Sequence, residues 1–142
     1  MLDDQTVELN LPSRIGYERI VIGGLAAFAK SVGFSPPRIE DLKTSVAEAC
    51  INAVQHGNKG KPDARVRVTA KFQENVLWIS VFDEGNGLKA ELKDPVIERI
   101  LDNLDPPVGF GVFLMRRLMD KVEFDRTSNH LHEVRMMMKL KA

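Results

Sequence analysis

The chain has 142 residues, a usual length for one domain, and Lys plus Arg equal Asp plus Glu at 20 each. This balance gives no general electrostatic reason to expect nucleic acid or an anionic membrane as a partner. The one cysteine, Cys50, excludes an internal disulfide, and the acidic, non-apolar N-terminus does not resemble a secretory signal. No apolar stretch is long enough to span a bilayer. We therefore expect a single domain over residues 1–142, located in the cytoplasm.

The first part of the chain predicts one strand and two helices. Alternating apolar residues indicate a strand over 5–11. Apolar residues at helical spacing indicate a helix over 13–32, which Gly33 would end. Ser35 is a typical N-cap, followed by proline, for a second helix that runs to about His56 and that Gly57 would close.

The remaining segments predict two hairpins separated by a helix. Residues 64–72 alternate between apolar and polar, 76–82 are more evenly apolar, and the two are expected to pair. A helix is predicted over 109–119, and strands over 122–126 and 133–140. Because the strands are grouped and do not alternate with helices, we predict an α+β fold: a two-layer sandwich with a mostly antiparallel sheet covered by helices.

Three segments carry residues that could form a site, and the first lies on the second predicted helix. Glu48 and Asn52 are one turn apart, roughly 40° around the axis, on the face away from the apolar stripe. A carboxylate can accept a proton, and an amide oxygen can ligate a hard cation such as Mg²⁺. Such a pair taken alone is more often an ordinary solvated face.

The second and third segments are rich in glycine. Asp83, Gly85 and Gly87 follow a predicted strand, where a carboxylate can accept a hydrogen bond from an amine such as that of adenine. Gly109 and Gly111 open a predicted helix, whose exposed N–H groups favour an anion. A tight turn and a flexible helix entry are the ordinary interpretations of each segment by itself.

Taken together and in this order, the three segments resemble the N, G1 and G2 boxes of the ATPase superfamily shared by gyrase, Hsp90, histidine kinases and MutL. The residues of these boxes and the length of the chain are similar to those of the bacterial anti-sigma serine-protein kinases (RsbW-like). The resemblance covers nearly the whole chain. It implies a histidine kinase-like (Bergerat) ATPase fold that binds ATP and Mg²⁺.

The resemblance also implies roles for individual residues. Asn52 would ligate Mg²⁺, Glu48 would be the general base, and Asp83 would bind the adenine amine. Residues 88–108 would form a lid over the nucleotide. The glycines implied to shape the pocket are Gly85, Gly87, Gly109 and Gly111.

One departure from the family pattern lies before the last predicted strand. The family usually carries a Gly-Thr pair there that helps to hold the nucleotide. This chain has Asn129-His130-Leu131-His132-Glu133 instead. A polar contact from His132 is one way in which this corner of the pocket could be completed.

The family resemblance implies a serine/threonine-protein kinase that phosphorylates a STAS-type anti-anti-sigma partner and sequesters a sigma factor, commonly as a homodimer. The alternative is a nucleotide-gated switch that holds a partner without phosphate transfer, although a pure binding protein has no need of Glu48 as a base. A histidine-kinase catalytic domain would need a phosphoacceptor helix pair upstream. A topoisomerase or mismatch-repair ATPase would need further domains.

Overall fold

A computed structural model describes residues 5–59, 61, 63–85, 110–127 and 131–141. Several expectations from the sequence lie outside these residues. They are the lid over 88–108, Gly87 and Gly109.

Five strands form one sheet in the order β1-β2-β3-β5-β4. Each of the four neighbouring pairs among these strands is antiparallel, which confirms the predicted mostly antiparallel sheet. The central strand β3 pairs with β2 on one side and with β5 on the other. The bounds are β1 (Thr6–Pro12), β2 (Arg65–Gln73), β3 (Val76–Asp83), β4 (Lys121–Arg126) and β5 (His132–Lys139).

In the described part of the chain three α-helices pack against the sheet, namely α1 (Glu18–Val32), α2 (Pro36–Asn52) and α3 (Phe110–Leu118). The inward side chains of the strands are buried with the apolar stripes of the helices in one core, represented by Val46 and Ile79. The predicted two-layer α+β sandwich is therefore confirmed. None of the helices in the described ranges is long and apolar enough to cross a membrane.

Helix α1 begins later than predicted. Residues 14–17 form a turn, in which the Tyr17 N–H donates to the Arg14 carbonyl oxygen at 3.2 Å, and the helix starts only at Glu18. Its predicted end is confirmed. Gly33 adopts the left-handed conformation with φ 108°, which a residue with a side chain rarely adopts, and so closes the helix.

Helix α2 begins at the predicted position but without the predicted side-chain cap. Ser35 has extended backbone angles, as an N-cap residue does, yet its hydroxyl makes no capping hydrogen bond. Pro36 and Pro37 follow it in the first helical turn and have no N–H groups, which leaves fewer donors to satisfy there.

The turn between β2 and β3 is confirmed where the sequence predicts it. Its two central residues, Glu74 and Asn75, both have positive φ, at 55° and 62°. This left-handed pair gives the twist that a two-residue hairpin needs. The resulting register pairs Gln73 with Val76 and sets the alternation of buried and outward side chains along both strands.

Candidate functional site

The site is built around the C-terminal end of α2, which differs from the regular helix that the sequence predicts. After Asn52 the chain forms a π-helical turn, Ala53–Gly57, in which the Asn58 N–H donates to the Ala53 carbonyl oxygen at 2.7 Å. Turns of this kind are rare in proteins, and those that occur often lie at functional sites. Here the wider turn brings Gly57 against the end of β3.

The contact between this turn and the end of β3 is close enough to require glycine on both sides. A Cβ atom added to Gly57 would overlap the Asp83 carboxylate, and one added to Gly85 would overlap the Gly57 carbonyl oxygen. The structure therefore brings the first and second sequence segments together. Gly57 was predicted only to end a helix, so its packing role was missed.

Asp83 is buried at this contact, with 3% of its surface exposed. Its Oδ1 accepts a hydrogen bond from the Gly85 N–H at 2.9 Å. Its Oδ2 lies 3.2 Å from Nδ1 of His132, which is also buried. Asp83 is thus held from the loop that follows β3 and from the neighbouring strand β5.

A second buried polar residue, Asn58, fixes the loop that follows Asp83. Its side-chain oxygen accepts from the Glu84 N–H at 2.8 Å, and its side-chain nitrogen donates to the Ser13 hydroxyl at 3.0 Å and the Arg65 carbonyl oxygen at 3.1 Å. Because these hydrogen bonds join three separate segments, Asn58 limits how far Asp83 can move. No sequence pattern indicates this role, since an asparagine after a glycine is ordinary turn composition.

Glu48 meets the third sequence segment at the start of α3. A Cβ atom added to Gly111 would overlap the Glu48 carboxylate, so this glycine lets the acid approach the helix backbone. Gly111 is the second residue of α3, where backbone N–H groups have no partner inside the helix. These N–H groups favour a negative charge nearby.

Asn52 lies between these two contacts. It is half-buried and is the last residue of α2, about 6 Å along the helix axis from Glu48. In the part of the chain that the structure describes, no three His, Cys, Asp or Glu residues cluster to hold a metal ion. Mg²⁺ usually takes only one or two ligands from the protein and the rest from phosphate and water, so a single Asn oxygen would suffice for this ion.

A cavity of about 260 Å³ opens at the Asp83 end of this line of residues. It includes both close-packed glycines, but Asp83, Glu48, Asn52 and Gly111 do not line it, so it lies beside one end of the candidate site. Its lining consists of Gly57, Asn58, Lys61, Asp63, Ala64, Glu84 and Gly85.

Comparison with known sequences gives similarity along most of the chain. The family model of the histidine kinase-like ATPase domain matches residues 11–138. The serine-protein kinase RsbW of Bacillus pumilus is 36% identical over 129 residues, which cover 86% of this chain and 79% of that protein. The RsbW of Bacillus subtilis is 33% identical over 129 residues, which cover 87% of this chain and 78% of that protein.

Two solved structures share the fold. The RsbU and RsbW domains of Rv1364c from Mycobacterium tuberculosis match with a TM-score of 0.69 at 17% identity. The match covers 95% of this chain and 32% of the Rv1364c chain, so this chain spans about a third of the Rv1364c structure. The SiaB–SiaC complex from Pseudomonas aeruginosa matches with a TM-score of 0.65 at 13% identity, over 93% of this chain and 88% of that one. At such identities the likeness concerns the fold alone.

Proposed function

Because the chain belongs to the histidine kinase-like ATPase family and, within it, to the RsbW-like serine-protein kinases, we propose that it is an ATP-dependent serine/threonine-protein kinase. Its substrate would be a STAS-type anti-anti-sigma protein. When that partner is phosphorylated, the kinase would bind and sequester a sigma factor. The observation that carries this proposal is the contact of the Glu48 carboxylate with Gly111 at the start of α3.

The nucleotide is proposed to lie along the end of α2. Adenine would bind at Asp83, whose buried carboxylate can accept a hydrogen bond from the exocyclic amine. The phosphates would lie toward α3, because the first-turn N–H groups of a helix have no partner inside it and favour an anion. Asn52, between the two ends, would hold Mg²⁺, which when bound neutralises charge on the phosphate oxygens.

Glu48 is proposed to act as the general base. In the reaction the serine hydroxyl oxygen of the partner forms a bond to the γ-phosphorus of ATP, the bond from that phosphorus to the β–γ bridging oxygen breaks, and ADP leaves. The hydroxyl proton passes to the Glu48 carboxylate. Because Glu48 lies against the helix end proposed for the phosphates, a hydroxyl aligned with the γ-phosphate would also be near this carboxylate.

The test compares the wild-type chain with Glu48→Gln, using radiolabelled ATP and a partner co-purified from the source cell. Gln keeps the size and polarity of the side chain, so Mg·ATP binding should stay near normal. Phosphate transfer should fall by about 10²–10⁴-fold, the usual contribution of a general base. Glu40→Gln is the matched control, because Glu40 lies on the same helix but is exposed and pairs only with Lys43 among the described contacts.

The outcomes separate the two functions. Equal transfer by wild type and Glu48→Gln would remove Glu48 as the base. A wild-type chain that binds its partner only with ATP, and yields no phosphoprotein, would be the nucleotide-gated switch. The proposed assembly is a homodimer, as the family resemblance implies, and light scattering of the purified chain would give a monomer mass if that part is wrong.

A further inference from the structure

We propose that His132 is a specificity-determining residue that positions the Asp83 carboxylate for the adenine amine and offers its second ring nitrogen to the edge of the base. This inference rests on the nucleotide site proposed above. It assigns a role to a residue at the one corner where the chain departs from its family pattern.

The sheet register places the two side chains together. Asp83 is the last residue of β3 and pairs directly with His132, the first residue of β5. Both belong to the alternating set that faces the helices, since the inward Val81 and Val134 form the adjacent pair of that set. The two side chains are 3% and 7% exposed, and the Asp83 Oδ2 to His132 Nδ1 distance is 3.2 Å.

The chemistry of this contact fixes which ring nitrogen carries the proton. An ionised carboxylate only accepts hydrogen bonds, so Nδ1 must be the donor to Asp83. The ring itself is held by Phe124, which stacks on it with the ring centroids 6.1 Å apart and the planes 29° from parallel. His132 is therefore oriented on two sides, and it in turn orients the carboxylate.

The other ring nitrogen, Nε2, is buried and has no hydrogen-bond partner among the described residues. Buried polar atoms in folded proteins are rarely left in this state. Because Nε2 belongs to the ring that contacts Asp83, the edge of a base bound at Asp83 would supply its hydrogen-bond partner. Among the described residues, the contacts with Gly85 and His132 use one lone pair on each Asp83 oxygen, so each oxygen can accept one further hydrogen bond, such as that of the amine of the base.

The experiment measures binding of Mg·ATP and of Mg·purine riboside triphosphate, which lacks the 6-amine, by calorimetry. Wild type should prefer ATP. In His132→Leu the carboxylate loses its positioning donor, and the ratio of the two affinities should fall by about tenfold. In His132→Asn the amide nitrogen takes the place of Nδ1, and the ratio should largely recover.

A merely structural role for His132 would weaken both nucleotides equally and leave their ratio unchanged. If His132→Leu fails to fold, His132→Gln replaces it. The Gln amide reaches the place of Nε2 and not that of Nδ1, so the preference of this variant for ATP over the purine riboside nucleotide should also fall. Glu133→Gln is the control. Glu133 is the next residue but forms hydrogen bonds with Ser80 and Arg135, so the ratio of the two nucleotide affinities in Glu133→Gln should match that of wild type.

The result that overturns the inference is a wild type that prefers ATP while all three His132 variants keep the same preference. A wild type with no measurable affinity for either nucleotide is a different outcome. It would refute the proposed nucleotide site itself.

Discussion

Glu48 on α2 and Asp83 at the end of β3 lie at opposite ends of the candidate site, and their surroundings suit different tasks. Asp83 is buried and held by His132 and by a backbone N–H, which suits a group that recognises a base and stays in place. Glu48 is half-buried against the start of α3, which suits a group that exchanges a proton with an incoming hydroxyl.

The role proposed for Asn52 can be tested at the same scale. Asn52→Ala removes the amide oxygen that is proposed to hold Mg²⁺, so most of the affinity for Mg·ATP should be lost while the protein stays folded. Calorimetry with and without Mg²⁺ measures this, with circular dichroism as the folding check. Unchanged Mg·ATP affinity in Asn52→Ala would remove the metal-ligand assignment.

At the scale of elements, the sequence predicted what is set locally. The β2–β3 hairpin follows from the alternation of apolar and polar residues and from a turn that contains Asn75, a residue type that tolerates positive φ, and Gly33 ends α1 for a related reason. These features depend on neighbours in the chain. Their prediction therefore needed no knowledge of the tertiary structure.

The features that the sequence missed depend on contacts between distant segments. The π-helical turn Ala53–Gly57 replaces the predicted α-helical end because Gly57 has to meet Asp83, 26 positions later in the numbering. The Asp83–His132 contact follows from the β3–β5 register, which no local pattern reveals. The three candidate segments could be found by composition, but their mutual geometry could not.

The close packing of the π-helical turn on β3 leads to a prediction about Gly57. In Gly57→Ala the new Cβ atom overlaps the Asp83 carboxylate, so Asp83 must move and ATP affinity should fall by about tenfold or more. Gly23→Ala is the matched control, since a Cβ there meets nothing within 4 Å.

Gly23→Ala should keep wild-type affinity and raise the free energy of unfolding by about 0.5–1 kcal/mol, because alanine favours a helix. Calorimetry and urea unfolding give the two quantities. If Gly57→Ala binds ATP as tightly as Gly23→Ala does, the close contact between Gly57 and Asp83 is not needed for ATP binding.

At the scale of the whole molecule, Cys50 reports on the integrity of the core. Burial, and to a smaller extent the charge of Glu18, raises the pKa of its thiol from 9.0 to about 12. The pKa in the fold lies above the value in the unfolded chain. The thiol therefore contributes stability that is present below about pH 9 and is lost as the pH rises toward 12.

The prediction is that a disulfide reagent at pH 8 reacts with Cys50 only when the fold opens. Labelling should be fast in denaturant and slow in the native protein. Mg·ATP at a hundredfold excess over its Kd should slow it by about a further hundredfold if opening is global. An added cysteine at the exposed Ser31 should label quickly in every state. Equal rates for Cys50 in native and unfolded protein would contradict this account.

The antiparallel sheet gives the molecule two ends with different uses in the laboratory. Asp83 and His132 meet at one end, while the Leu140 N–H donates to the Asn75 carbonyl oxygen at the other, at 2.8 Å. Strand β3 separates these ends by roughly 25 Å of extended chain. A fluorophore or surface tether attached at Gln73, which is exposed at the far end, would leave the proposed nucleotide site facing solution. Partner capture and release could then be followed on single immobilised molecules as ATP is exchanged for ADP.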